Sequence, residues 1–298
     1  MAGITPSLVV SVERLYRMRK LFAGLIVVII LAVLAIALNG QKNRKVSNQS
    51  RSQEANAAPG RVEGKRAPVV VELFTSEGCS SCPAAEAVLA NLEREQPVAG
   101  AEVIPLALHV DYWNYLGWSD PFSSHDFSAR QSEYADAYGK DGVYTPQMIV
   151  DGVKEFPGGN SRLALDTIAK AALTQKADVQ ITRSETQPAE GVRLGVRIEN
   201  IPKPTAGDEA FVLLVVTESN LSTDVARGEN AGRKLTHAGV VRRLTTLGGL
   251  ASAQGGKFDA EAVVSVEKGW RRENLRAVVF AQERGSRRVV AAGTLKLF

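Results

Sequence analysis

The chain's two cysteines stand three positions apart, as Cys79-Ser80-Ser81-Cys82, after an apolar run ending at Phe74 and before a helical pattern. Sulfurs at that spacing can bridge. At the start of a helix, backbone N–H groups and the helix dipole stabilise a thiolate. One thiol can attack a disulfide while the other resolves the mixed species, which is thiol–disulfide exchange. Cys79 follows Gly78, whose lack of a side chain opens room for a partner backbone, so it is expected to be the more exposed thiol and the nucleophile. Cys82 lies inside the first helical turn, shielded by Pro83, and is expected to resolve. An inert bracing disulfide is the alternative, although so short a loop restrains the unfolded chain little. Copper(I) held by both thiolates and His109 is a third reading, because soft sulfur suits Cu(I) and two thiolates do not fill a zinc site. Exchange itself needs neither an organic cofactor nor a metal.

Other groups fall where they could serve this pair. Glu72 interrupts the apolar strand seven residues before Cys79, where burial would raise its pKa and suit it to a proton relay. His109 and Asp111 end the second apolar strand, at the sheet edge where the cysteine helix begins and where ligands gather; a hydrogen-bonded core histidine and a turn-capping aspartate are the plainer readings. Tyr112, Trp113, Tyr115, Trp118, Phe122 and Phe127 crowd six aromatics into sixteen residues, enough for a satellite core under a long loop or an apolar ledge beside the sulfurs. Tyr144, Thr145 and Pro146, together with His109, Asp111 and Trp113, are assigned to substrate contact.

These groups need elements to position them. Val69 to Phe74 reads as a strand, Cys82 to about Glu95 as a helix, and Ile104, Leu106, Leu108 and Val110 as a second strand. Phe127, Gln131, Tyr134 and Tyr138 recur at helical spacing up to Gly139. A strand follows Pro146, Asp151-Gly152 turns a hairpin, and Leu163 to Ala172 closes with a helix. Beyond Lys176 the period becomes two: Val192, Leu194, Val196 and Ile198 alternate with Arg193, Gly195 and Arg197, and apolar runs recur near 211–216, 258–266, 275–281 and 289–297. The reading is an α/β domain over residues 67–177 followed by an all-β antiparallel sandwich over 178–298. Arg227 to His237, with two arginines, a lysine and a histidine, reads as a charged solvated loop pinned by Asn230, an anion or partner contact being the alternative.

The order of elements, with the cysteine motif opening the first helix, resembles thioredoxin. That likeness implies a cis Thr145-Pro146 bond facing the cysteines and a buried acid near Glu72. Thioredoxins carry theirs six residues before the first cysteine, so Glu72 departs by one and solvent exposure is its other reading. Three stretches, VELFTSEGCSSCP, HVDYWNYLGWSDPF and YTPQMIVDG, closely resemble the exported thioredoxin-like family of unknown function numbered 1223, and residues 228–243 add to the likeness. The resemblance covers about residues 67–298. It implies a thioredoxin-like fold and a redox role, with no substrate attached.

The start of the chain bears on where this chemistry would occur. Residues 21–38 are eighteen uncharged, apolar residues, about what a ~30 Å hydrocarbon core requires. Arg14, Arg17, Arg19 and Lys20 precede them, so residues 1–20 are expected on the cytoplasmic side and the remainder outside, held by one transmembrane signal anchor. A cleaved signal peptide is the alternative. Residues 39–66 read as a polar tether. The net charge of +4 divides unevenly. Residues 1–66 hold eleven Lys/Arg against three Glu, leaving 25 basic against 29 acidic residues in 67–298. The exported part is mildly acidic, which argues against nucleic acid as a partner. Exported protein thiols or disulfides, and a further redox protein, are the expected partners in a compartment where disulfides persist.

Overall fold

The computed structural model describes residues 66–184, 191–250 and 256–298. They all lie within one compact unit, residues 64–298. Residues 1–65, and with them the expected cytoplasmic segment, anchor and nearly all of the tether, lie outside the described residues.

Two apolar segments, β1 (Ala67–Thr75) and β2 (Ala101–His109), run parallel in the register Thr75 to His109. Both are buried along almost their whole length, as parallel strands covered on two faces must be. Helix α1 (Cys82–Glu95) connects them and buries Ala85, Leu89 and Leu92. Helix α2 (His125–Ala137) is capped by Ser124, whose side chain accepts from the Asp126 N–H. Strands β3 (Gln147–Val150) and β4 (Lys154–Pro157) form the expected hairpin, with Asp151 and Gly152 at φ 48° and 70°. Gly152 is required there, because a Cβ would fall 1.8 Å from the Arg287 carbonyl oxygen. Helix α3 (Ser161–Ala171) follows, capped by Asn160.

From Asp178 onward the chain is strand after strand: β5 (Asp178–Arg183), β6 (Gly191–Glu199), β7 (Ala210–Glu218), β8 (Leu221–Asp224), β9 (Lys234–His237), β10 (Val240–Gly249), β11 (Phe258–Ser265), β12 (Leu275–Glu283) and β13 (Val289–Lys296). The period-two segments of the sequence become β6, β7, β11, β12 and β13. They do not form a separate sandwich. One eight-stranded mixed sheet runs β13-β12-β7-β10-β2-β1-β3-β4, with β10 parallel to β2. Strands β11-β6-β5 form a smaller sheet, and β8-β9 a ribbon.

This corrects the expected architecture of an α/β thioredoxin-like domain followed by an independent all-β antiparallel sandwich behind a transmembrane helix. Among the described residues there are three α-helices against thirteen strands, and no helix is long and apolar enough to cross a membrane. The physical reason is that β7 and β12 are apolar on both faces. Val212, Leu214, Val216, Ala277 and Val279 pack with Val192 to Ile198 of β6. Leu213, Val215, Val278 and Phe280 share a second core with Phe74, Leu106, Phe127 and Tyr134. A free-standing sandwich would expose those four side chains, at about 1.5–3 kcal/mol each and so about 6–12 kcal/mol in all. A buried polar network crosses the same junction. Arg130 donates to Glu72 at 2.6 and 3.0 Å and to Gln282 on β12 at 2.9 Å, and Gln282 donates to the Tyr134 hydroxyl at 2.7 Å.

Candidate functional site

The cysteine segment leaves the end of β1 and turns into α1, with Cys79 N donating to Ser76 O and Cys82 N to Cys79 O, both at 3.2 Å. Cys82 is the first residue of α1, Ser81 its N-cap, and Pro83 stands in the first turn, where no N–H is missed. Both cysteines are free thiols. Cys79 Sγ lies 3.3 Å from Ser81 Oγ and 3.9 Å from the Thr145 carbonyl oxygen. A hydrogen bond from the Cys82 thiol lowers Cys79 to about 5; burial opposes this, and the Ser81 hydroxyl assists. Burial drives Cys82 the other way, well above an ordinary thiol, and the sulfur of Cys79 adds to the effect. The pair is therefore polarised into one thiolate and one thiol, at a helix N-terminus that favours the charge.

Exposure departs from expectation. Cys79 is 1% exposed and Cys82 0%, so neither is the open member of the pair. The side of Gly78 meant for a visiting backbone is filled by Trp113, since a Cβ there would lie 3.1 Å from the Trp113 Cβ. The loop between β8 and β9, read as solvated, clamps the cysteine segment instead. Asn230 is fully buried and donates from Nδ2 to the carbonyls of Glu77 at 2.9 Å and Cys79 at 3.0 Å, while Ser80 N donates to Glu229 Oε2 at 2.9 Å. Arg233 holds Asn230 in turn, donating to its Oδ1 at 2.7 Å.

Behind the pair lies a buried polar cluster. Thr75 Oγ1 donates to Glu86 Oε1 at 2.7 Å. Glu86 Oε2 meets Nδ1 of His237, whose Nε2 faces Glu77 Oε1 at 3.0 Å. His109 Nδ1 pairs with Asp120 Oδ2 at 2.7 Å. Phe122 packs edge-on against both imidazoles, with ring centroids 5.4 and 5.3 Å away. Against the burial that opposes charge, Glu77 and Glu86 hold His237 up to about 10, and Asp120 raises His109.

The remaining sequence-derived residues divide clearly. Thr145-Pro146 is cis, and Thr145 Oγ1 accepts from Trp113 Nε1 at 2.7 Å, which brings Thr145, Pro146 and Trp113 to the sulfurs. Tyr144 is 38% exposed beside them, its carbonyl held by Gln131. His109 is fully buried and offers nothing to a visiting chain. Asp111 is tied to Ser128 at the start of α2. Glu72 is not with the cysteines. Its strand neighbours Val71 and Leu73 face α1, so Glu72 points to the opposite face, where Arg130 pairs with it. Of the aromatic run, Tyr112, Trp113 and Phe127 pack against the core while Tyr115 is 80% exposed, so it is mainly a satellite core.

Sequence reasoning missed Glu77, Glu86 and Asp120, and it read the segment holding Glu229, Asn230 and His237 as a solvated loop, whereas these residues meet the cysteine segment and Glu86. One signal was available, for Glu86 lies one helical turn after Cys82, on the same face as Ala85 and Leu89, and a carboxylate on a buried helix face calls for a partner.

The family described as "Protein of unknown function (DUF1223)" matches over residues 70–282. The chain belongs to that family. No curated protein matches the chain. A crystal structure of a protein from Agrobacterium tumefaciens is similar at 25% identity and TM-score 0.57, over 78% of this chain and 95% of that one. HBP35 of Porphyromonas gingivalis, at 15% identity and TM-score 0.57 over 78% of this chain and 76% of that one, shares the fold.

Proposed function

We propose that this DUF1223 member is a thiol–disulfide oxidoreductase acting on protein thiols outside the cytoplasm. The observation that carries the reading is the polarised pair: Cys79 lowered to about 5, Cys82 held protonated, both at the start of α1, with the Thr145 carbonyl 3.9 Å from the Cys79 sulfur. Thiolate character sets the attacking rate and burial delays the second sulfur, which is the asymmetry that exchange needs. Export rests on the basic segment and the apolar tract 21–38 of the sequence.

In the forward direction the Cys79 thiolate attacks one sulfur of a disulfide, forming a mixed disulfide and expelling the other sulfur as a thiolate. Cys82 then attacks Cys79 Sγ, closing the Cys79–Cys82 bridge and releasing the second sulfur, which takes up the Cys82 proton. The substrate disulfide is reduced by two electrons and the pair is oxidised; the reverse sequence oxidises a dithiol. Because Cys79 is covered, turnover includes movement of the loop that Glu229 and Asn230 anchor on residues 77–80. That burial favours a second reading, in which the pair is inert and the fold is a binding scaffold. Copper delivery has less support: His109 Nδ1 is engaged by Asp120, and His109 groups with Glu86 and His237, not with the sulfurs.

The test is incubation of the reduced full-length chain with oxidised glutathione. Exchange predicts an internal disulfide in the wild type and a stable glutathione adduct on Cys79 in Cys82→Ser. A folded Cys82→Ser chain that stays unmodified on Cys79 refutes exchange and leaves the scaffold.

A further inference from the structure

The cluster behind the cysteines has a feature that exchange does not use. Glu86, His109 and His237 come from α1, the end of β2 and the end of β9, yet each offers a donor atom within 4.8 Å of the other two. They are 5%, 0% and 3% exposed. Nε2 of His109 is buried without a hydrogen-bond partner, an arrangement that is destabilising when nothing satisfies it.

The surroundings of the three side chains follow one pattern. His109 is gripped at Nδ1 by Asp120, His237 at Nε2 by Glu77, and Glu86 at Oε1 by Thr75. The gripping groups are themselves fixed: Asp120 accepts from the N–H groups of Glu77 and Phe122 at 2.8 and 2.9 Å, and Glu77 accepts from Trp118 Nε1 at 2.7 Å. That leaves one further atom on each central residue: His109 Nε2, which has no partner, and His237 Nδ1 and Glu86 Oε2, which meet each other. Histidines that bind metals hand their second nitrogen to a carboxylate in this way, which sets tautomer and ring orientation. An ionic bridge from His237 to Glu77 and Glu86 accounts for the second histidine alone. It leaves His109 Nε2 unexplained.

We propose that Glu86 Oε2, His109 Nε2 and His237 Nδ1 bind one divalent transition-metal cation, zinc being one ion that two imidazole nitrogens and one carboxylate hold. The ion would pin the β8-β9 ribbon onto α1, and with it the loop that carries Glu229 and Asn230 over the cysteines. The sulfurs are not ligands, and the site stands whether or not exchange occurs.

The test is metal uptake by the full-length chain after chelator treatment, with zinc content measured by mass spectrometry and a cobalt(II) derivative read by visible absorption. The expected result is one ion per chain, cobalt d–d bands without a thiolate charge-transfer band, and unchanged uptake in a Cys79→Ser/Cys82→Ser chain. Asp120→Asn should weaken binding by roughly 10–100-fold, and His109→Ala by more than that. Absence of uptake by the stripped wild type, a thiolate band, or uptake that survives His109→Ala overturns the proposal. The wild-type and double-cysteine measurements hold even where a histidine variant does not fold. Zinc uptake with no glutathione adduct would remove only the redox reading.

Discussion

The ionisation of Cys79 tests the site most directly, with Cys82→Ala as the perturbation. In the folded chain Cys79 sits at about 5 rather than 9.0, and the hydrogen bond from the Cys82 thiol is the largest cause. At pH 7, two units above that value, about 99% of Cys79 is thiolate, against about 1% for an ordinary thiol two units the other side. Hydrogen bonds to charged groups contribute about 1.5–3 kcal/mol, and one pKa unit is about 1.4 kcal/mol, so removing the Cys82 donor should raise Cys79 by roughly 1–2 units. Ser81 and the helix N-terminus remain, which keeps the value below that of a free thiol. Because Cys79 is 1% exposed, an alkylation rate would mix ionisation with access. Thiolate ultraviolet absorbance has no such dependence. Titrated from pH 3 to 10, the reduced wild type should show a step near pH 5 that Cys79→Ser abolishes and Cys82→Ala moves to about 6–7. A step near 9 in the wild type, or one that Cys82→Ala leaves in place, refutes the polarised pair.

Two further outcomes follow from the packing. Asn230→Ala leaves the buried Glu77 carbonyl without its donor, at about 1–3 kcal/mol, while the Cys79 carbonyl keeps the Cys82 N–H; urea unfolding should show the loss, and native-state alkylation of Cys79 should accelerate as the clamp loosens. An unchanged alkylation rate would mean that the loop does not govern access. Arg130→Met strands the Glu72 carboxylate inside the junction and should cost about 3–5 kcal/mol in chemical denaturation, whereas Arg130→Met with Glu72→Leu should recover most of it.

Local order was readable wherever it rests on near neighbours. The span of α1 follows from its apolar spacing and Pro83, the β3-β4 hairpin from Asp151-Gly152, and the strand character of Val192 to Ile198 from strict alternation. The approach of Thr145 to Cys79 was reached through the likeness to thioredoxin, not through any local signal. The architecture was misread because alternation reports one buried face at a time. The uninterrupted apolar run in β7 carries no mark of what covers each side, and two different cores do so. The same limit applies to the site. That Cys79, Cys82, His109 and Thr145 were candidates is a property of residue type and position along the chain. That Glu86 meets His237, 151 residues away, and that Asn230 closes on Cys79 across the same separation, depends on β10 pairing with β2 and carrying the β8-β9 ribbon to the start of α1. A strand pairing with one bridge cannot be inferred from composition or period, because its stability comes from contacts that exist only once the rest of the sheet has formed.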